Sequence, residues 1–266
     1  MRVVRAGRRF LTVELGALTV TMLSDGETAM PLTHLRGADG APLADLAGAD
    51  VVDGKLRLPV RAFAVQGPGG SLLIDTGAAN AWHPGLGQVG AALAEAGIGA
   101  TEITAVALTH THVDHLSGLV DNDGGLAFPN AARIFVATEE LAAFHAEPRM
   151  IPAVPRLVPL EQGDGPMPGV TAINAPGHSP GHMAFLLDGR LLIWGDLVHH
   201  AAVQFAAPQV TWVFDDDQPR ARSSRLALMA QAARAGWLVA GAHLPDPGIG
   251  RIERKGAGYA FHPVTR

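Results

Sequence analysis

The sequence predicts an α/β fold in which two mixed β-sheets are covered by helices. Short apolar segments with strand character outnumber helical segments, and Gly-containing turns join several of them as hairpins. Helical spacing follows strands at about residues 89, 139 and 219. Strands and helices that alternate in this way pack as layers around an apolar core.

The first half of the chain contains two predicted hairpins, a long loop and a helix. The hairpins pair residues 10–15 with residues 18–24, and residues 60–66 with residues 71–75. Residues 30–55 are polar, Gly-rich and weakly periodic, which predicts a long loop. Residues 89–96 have helical spacing and are followed by Gly97, a residue that commonly ends a helix.

The second half of the chain alternates short strands with two helices. The predicted strands are residues 105–109, 133–137, 170–174, 183–187, 190–194 and 237–240, with short strands around Ile252 and Tyr259. Thr138 is expected to cap a helix over residues 139–145, and Asp217 and Pro219 begin a helix that Gly236 ends. No change in composition marks a linker, so we expect one domain over residues 1–266.

Composition excludes several kinds of protein. There is no cysteine, which rules out disulfides, thiolate zinc sites and a cysteine nucleophile. The formal net charge of -5 gives no basic face, so a nucleic-acid partner is not expected. The apolar runs are too short to cross a membrane, and the basic N-terminus lacks a signal-peptide core. We therefore expect a cytoplasmic protein without a membrane partner.

A histidine cluster follows the apolar strand that ends near residue 109. His110, His112, Asp114 and His115 lie within six residues. Alternate residues of an extended segment share a side, so the first two can approach one cation while the other two turn toward a second. Imidazoles and carboxylates suit zinc, manganese, iron or cobalt. A hydrogen-bonded cluster or surface patch is the alternative, and this density of donors favours the metal site.

Three further candidate ligands each follow the end of a predicted strand: His178, Asp196 and His243. Pro and Gly on both sides of His178 fix a tight loop. Asp196 could bridge two cations or cap a turn, and His182 fits a hydrogen-bonding role or a strand start better than ligation. Because α/β folds gather catalytic groups at strand ends, we expect these residues to meet.

These segments resemble the motif pattern of the metallo-β-lactamase superfamily. The matching positions, in chain order, are Asp75, His110, His112, Asp114, His115, His178, Asp196 and His243. Segments that begin at Ser24, Asp75, Phe128 and Ala201, together with the tail from His243 to Tyr259, resemble its methyl parathion hydrolase-like group. That group borders the N-acyl-homoserine lactonases. Ser117 departs from the pattern, because it stands where the superfamily often has Gly.

The resemblance implies a four-layer αββα sandwich with two divalent transition-metal ions, zinc being favoured and manganese, iron or cobalt also suitable. One ion would bind His110, His112 and His178, and the other Asp114, His115 and His243. Asp196 would bridge the two ions, and Asp75 would hold a ligand imidazole in one tautomer. Asp75, Asp114 and Asp196 therefore form the predicted catalytic set.

The implied activity is that of a metal-dependent hydrolase acting on a small molecule. Two cations that share a water supply hydroxide near neutral pH, which would attack a lactone or aryl ester carbonyl, with phosphotriesters as a side activity. Trp82 and His199 are the predicted pocket residues, although Trp82 could equally be a partly buried surface residue. His199 and His200 stand where related hydrolases tend to have apolar residues. A homodimer is expected by analogy with relatives.

Several other functions are compatible with parts of this pattern. A glyoxalase-type thioester hydrolase or another hydrolase of the same fold remains the first alternative. A β-lactamase is disfavoured because the main zinc class usually has Cys at the position of Asp196, and RNA-processing members usually have a basic face. Iron dioxygenases tolerate loss of Asp114 or His115, yet both are present. A non-catalytic binding paralogue usually lacks a ligand, and this chain retains the full set.

Overall fold

The computed structural model describes residues 1–41, 43 and 51–265. The strands are β1 Arg2–Ala6, β2 Phe10–Leu15, β3 Leu18–Pro31, β4 Leu35–Arg36, β5 Val51–Val52, β6 Lys55–Gly67, β7 Gly70–Ile74, β8 Ala105–Ala107, β9 Arg133–Ala137, β10 Leu157–Leu160, β11 Val170–Asn174, β12 Met183–Leu187, β13 Leu191–Ile193, β14 Thr211–Trp212, β15 Leu238–Ala240, β16 Ile249–Lys255 and β17 Gly258–Pro263. The α-helices are α1 Val89–Glu95, α2 Val113–Leu116, α3 Leu141–Ala146, α4 Ala201–Ala206 and α5 Gln218–Ala235.

Two large sheets face each other. The first has the order β1-β2-β3-β6-β7-β8-β9-β10, with β5 paired to β6, and it changes from antiparallel to parallel pairing at β7. The second has the order β11-β12-β13-β15-β16-β17, and its one parallel pair among the described residues joins β13 to β15. In both sheets, parallel neighbours therefore end at a common edge.

The middle strands of both sheets are buried on two faces, which explains their continuous apolar character. In β9, Phe135 enters the core between the sheets, while Ile134 packs on the side of α1 and α3. In β13, Ile193 enters the same central core, while Leu192 packs against α5. The layers therefore follow the predicted αββα order, and this fold prediction is confirmed. The shared central core supports the single-domain expectation, which stays a prediction.

The long helix α5 has the ends that its sequence predicts. The Asp217 carboxylate accepts a hydrogen bond from the Arg220 amide at 3.0 Å, and Gly236 closes the helix with a left-handed φ of 68°. The capping prediction for Thr138 is wrong. Thr138 lies inside a 3-10 turn, Thr138–Glu140, and its hydroxyl donates to Glu161 rather than to a helix amide.

The predicted loop over residues 30–55 is wrong at both ends. β3 continues to Pro31 and β6 begins at Lys55, and these two residues pair in register. The long pairing of β3 with β6 satisfies the backbone hydrogen-bonding groups of this region. The buried Leu56 and Leu58 alternate with exposed or half-exposed neighbours, as on a strand with one buried face. Residues 42 and 44–50 of the predicted loop lie outside the described residues. The strand predicted for residues 105–109 is also shorter, because it ends at Ala107.

Several short elements have no counterpart in the sequence-based prediction: β1, β4, β5, β10, β14, α2 and α4. All of them contain six residues or fewer, a length at which periodicity carries little information. Within the described residues, no helix combines the length and apolar character that a bilayer crossing requires.

Replacement of Phe185 by Ala tests the central core. Phe185 lies on β12 with no exposed surface and packs between the two sheets. We expect the free energy of unfolding to fall by about 3–5 kcal/mol in chemical denaturation, because a large buried ring leaves a cavity. The matched control is Leu226→Ala on the outer face of α5, where a side chain that is 41% exposed should cost far less. Equal losses in the two variants would contradict this placement of the core.

Candidate metal centre

The predicted ligands lie in the loops and short helical turns that follow four strands at one edge of the sandwich. The His110–His115 segment follows β8, His178 follows β11, Asp196 follows β13, and His243 follows β15. Since β13 and β15 run parallel, as do β7 and β8, their carboxyl ends place these loops side by side. All the predicted ligands except His112 are buried, and His112 is half-buried.

One group of donors surrounds a point between β8 and β11. His110, His112, His178 and Asp196 each offer an atom within 4.8 Å of all the others. His112 Nδ1 lies 3.0 Å from His178 Nε2, and His178 Nε2 lies 3.3 Å from Asp196 Oδ2. Three nitrogens and one carboxylate oxygen thus face a common centre.

A second group shares Asp196 with the first. It consists of Asp114, His115, Asp196 and His243, again within 4.8 Å of one another. His115 Nε2 lies 3.1 Å from Asp196 Oδ1, and His243 Nε2 lies 3.1 Å from Asp196 Oδ2. Each of these two imidazoles is 3.5 Å from Asp114 Oδ2. The two groups are those predicted from the sequence, with Asp196 at their junction.

The residues present fit divalent cations. Among the described residues, the buried His110 Nε2 makes no hydrogen bond, and the buried His115 Nε2 and Asp196 Oδ1 have no hydrogen-bond partner besides each other. Buried polar atoms that lack hydrogen bonds are costly, and here they converge on the same two centres. Imidazole and carboxylate donors are the ligand set of zinc and related divalent metals. The cluster and its donor chemistry therefore support divalent metal ions at this site.

The second nitrogen of most imidazoles is held by a protein oxygen. His115 Nδ1 lies 2.8 Å from Asp75 Oδ2, His178 Nδ1 2.9 Å from Asp215 Oδ1, and His243 Nδ1 2.7 Å from the Pro59 carbonyl. Such contacts fix the ring orientation and leave Nε2 directed into the cluster. Asp75 is itself fixed, because its Oδ1 accepts from the Thr109 amide at 2.7 Å.

Burial and neighbouring charges shift the pKa values of the cluster in different directions. Burial lowers the pKa of His110 well below its usual value, and the imidazoles of His115 and His112 lower it further. Burial also opposes the charge on His115, but Asp196 and Asp114 outweigh it and raise that pKa well above its usual value. Burial would raise the pKa of Asp196, yet His115 and His243 hold it well below the usual range. The anionic carboxylate is therefore the form this site stabilises.

A family model agrees with this arrangement. The model of the metallo-β-lactamase superfamily matches residues 56–243, which include both donor groups. The chain belongs to the metallo-β-lactamase superfamily. A search of curated proteins finds no match.

Several solved structures superpose on nearly the whole chain. AidC, a dizinc quorum-quenching lactonase in complex with the product N-hexanoyl-L-homoserine, is 26% identical, with a TM-score of 0.84 over 97% of this chain and 98% of its own. The hydrolase AbOPH is 27% identical, with a TM-score of 0.85 over 98% and 99%. A probable metal-dependent hydrolase from Staphylococcus aureus is 20% identical, with a TM-score of 0.78 over 96% and 99%, which shows the shared fold.

Five of the seven candidate ligands line a cavity of about 260 Å³: His112, Asp114, His178, Asp196 and His243. Both predicted pocket residues, Trp82 and His199, line it. The segment from Met30 was also expected at the pocket, and Met30 lines it, whereas the sequence-based prediction missed other apolar walls: Leu58, Val113, Trp212 and Phe214. His199 lies flat against Trp212, with ring centroids 4.8 Å apart and an interplanar angle of 10°. His200 does not line this cavity and instead faces a neighbouring cavity of about 390 Å³.

Two buried carboxylates near the site were also missed. Asp215 contacts His178, and Glu140 accepts hydrogen bonds from the Thr111 amide and hydroxyl and from the Gly181 amide. Glu140 thereby ties the histidine cluster to the loop that follows His178. In the sequence, the first carboxylate belongs to a run of three Asp before a helix and the second belongs to a predicted helix. Both contexts are typical of solvent-exposed residues.

His182 has a hydrogen-bonding role rather than a place in either donor group. Its Nε2 accepts from the Asp196 amide at 3.1 Å, and its Nδ1 lies 2.9 Å from the Ala175 carbonyl. Gly177, beside His178, is required by packing, because its φ is 125° and a Cβ there would collide with the backbone of Ala221 on α5. The loop of His178 is therefore seated directly on that helix.

Replacement of Asp75 by Asn tests how the imidazole of His115 is held. Asp75 has a φ of 60°, which Asn tolerates, so the backbone should be retained. We expect metal affinity to fall by about 10- to 100-fold, because loss of such an outer carboxylate weakens the ligand imidazole. Competition with a chromophoric chelator measures the affinity, and circular dichroism checks the fold. Unchanged affinity in a folded variant would exclude this role for Asp75.

Proposed function

We propose that this protein hydrolyses lactones, with N-acyl-homoserine lactones as its substrate class and two zinc ions as its cofactor. The observation that carries the proposal is the position of the two donor groups at the end of an apolar cavity. The likeness to AidC supports it, since that protein is a dizinc lactonase and the two chains align over almost their full lengths. Aryl esters and phosphotriesters are proposed as secondary substrates.

The cavity suits an acyl chain attached to a compact polar ring. Its walls include Leu58, Trp82, Trp212 and Phe214, and its inner end is formed by candidate ligands such as His112 and Asp196. Burial of the acyl chain against these side chains would favour binding in proportion to the apolar area covered. The lactone carbonyl would then be directed toward the donor groups, while the apolar walls exclude bulk water.

The chain's own residues provide charge and orientation for the reaction. When bound, two divalent cations supply a nucleophile from water near neutral pH and polarise the substrate carbonyl. Asp196 remains anionic in this surrounding and is proposed to hold the two donor groups at a fixed separation. Asp114, which also lines the cavity, is proposed as the carboxylate nearest the leaving oxygen. Ring opening of a lactone breaks the acyl–oxygen bond and yields one carboxylate and one alcohol.

The Asp196→Asn variant and metal analysis together test this proposal. The purified protein, reconstituted with zinc, is expected to hold two ions per chain, as the two donor groups imply. It should hydrolyse N-hexanoyl-homoserine lactone faster than an aryl ester or a phosphotriester. Asp196→Asn should lower both metal content and turnover, because a neutral amide bridges cations poorly.

Glu161→Gln is the matched control, because Glu161 is an exposed carboxylate whose contact is with Thr138. This variant should retain metal and activity. Less than one ion per folded chain after reconstitution would disprove the two-metal site. Full metal content with turnover of thioesters but not lactones would favour the glyoxalase-type alternative.

Replacement of His199 by Leu tests the pocket wall. Burial lowers the pKa of His199 to about 3 despite the nearby Asp196, so this imidazole is neutral in the cavity. Leu should change the ratio of kcat/KM between hexanoyl and decanoyl substrates several-fold while metal content stays the same. His200→Leu is the control, since His200 lines the neighbouring cavity. Loss of metal without a change in preference would instead make His199 a ligand.

A further inference from the structure

A buried arginine lies beneath the metal centre, on the side of α5. Arg225 is in the middle of that helix and only 1% exposed. We propose that Arg225 is a positioning residue that sets His178 and Asp196 relative to each other. The inference rests on the proposed metal-dependent function, because it concerns two of the candidate ligands.

The first contact of Arg225 leads to His178 through a carboxylate. Its Nη2 lies 3.6 Å from Asp215 Oδ2, and Asp215 Oδ1 lies 2.9 Å from His178 Nδ1. Asp215 Oδ2 also accepts from the Trp212 amide at 2.9 Å, so both carboxylate oxygens are engaged. The guanidinium therefore holds the carboxylate that orients the ring of His178.

The second contact leads to Asp196 through the backbone. Arg225 Nε donates to the Leu197 carbonyl at 2.6 Å. Leu197 directly follows Asp196 in the 3-10 turn Gly195–Leu197. Since the adjacent carbonyl is fixed, the peptide that carries Asp196 is held from the side of α5 while His182 holds its amide from the other side.

A third contact extends this arrangement to the pocket wall. Arg225 Nη1 donates to the Val210 carbonyl at 2.7 Å, and Gln204 Nε2 donates to the same oxygen at 3.1 Å. Gln204 in turn accepts from the amides of His199 and His200. One buried charge thus connects two candidate ligands with the segment that carries His199.

Stability alone does not account for a charge in this position. Burial lowers the pKa of Arg225 to about 10, with Asp215 opposing the shift, so the guanidinium stays charged at neutral pH. Desolvation of a buried ion pair commonly cancels its attraction, and apolar residues of similar volume often serve stability as well. A hydrogen bond to the carbonyl beside Asp196 and an ion pair with the carboxylate that contacts His178 are what an apolar residue cannot supply.

The test compares metal affinity in Arg225→Met with that of the wild-type protein. We expect the affinity of the cation held by His110, His112 and His178 to fall by about 10- to 100-fold, as for other losses of outer ligand partners. The cation held by Asp114, His115 and His243 should be affected less, because only the contact through Leu197 reaches it. Stepwise competition of zinc with a chelator separates the two affinities, and the visible spectrum of the cobalt-substituted protein reports ligand geometry.

Arg222→Met is the matched control. Arg222 lies one turn earlier on α5 and donates to the Gln209 and Ala38 carbonyls, without a contact to Asp215. It should leave both affinities and the cobalt spectrum unchanged. Arg225→Lys should restore part of the affinity, since a cation then remains near Asp215.

Unchanged affinities in Arg225→Met would overturn the proposal. So would an equal loss at both sites accompanied by lower stability of the metal-free protein, since that is the result of a purely structural role. If Arg225→Met does not fold, Asp215→Asn decides the matter, because it interrupts the path to His178 alone. No effect of Asp215→Asn on the first cation would then reject the inference. These readouts are metal affinities, so they are independent of whether lactones are the substrate.

Discussion

The carboxylate of Asp196 is the constraint on which the candidate site depends. Four imidazoles, those of His115, His178, His199 and His243, lie within 3.3 Å of its oxygens, and it is almost fully buried. Bringing so many donors around one carboxylate is favourable only if positive charge is present to balance it, either as protons on the imidazoles or as cations. The two donor groups share this residue, so its position fixes the separation of their centres.

The sandwich meets this constraint by using strands as rigid supports for short loops. Three of the four ligand-bearing segments leave a strand that is buried on both faces (β8, β13 and β15), whereas β11 has exposed side chains. The segments converge because parallel strands end at one edge. Buried charged side chains on the outer side of each sheet then hold these segments in position. Asp75 and Glu140 act on the side of the first sheet, whereas Asp215 and Arg225 act on the side of α5.

The sequence predicted the donors better than it predicted their supports. His110, Asp196 and His243 could be found because few residue types bind metals and because each follows a short apolar strand. Arg225 could not, since an arginine on a helix usually reaches solvent, and its burial depends on how α5 packs on the second sheet. The ends of the loop predicted over residues 30–55 differ from the structure for a similar reason. The pairing of β3 with β6 joins distant parts of the chain, and local composition does not show it.

Cation binding would consequently supply partners for the buried polar atoms of the two donor groups. Without a cation, His110 is driven toward the neutral form while His115 is driven toward the charged one, although their ring centroids are only 4.1 Å apart. Cations held by the two donor groups would remove this opposition, because neutral imidazoles and an anionic carboxylate would then be the favoured states together. The free energy of metal binding would in this way also contribute to the free energy of folding. Asp75 and Asp215, which contact the imidazoles of His115 and His178, would then orient these rings toward the cations.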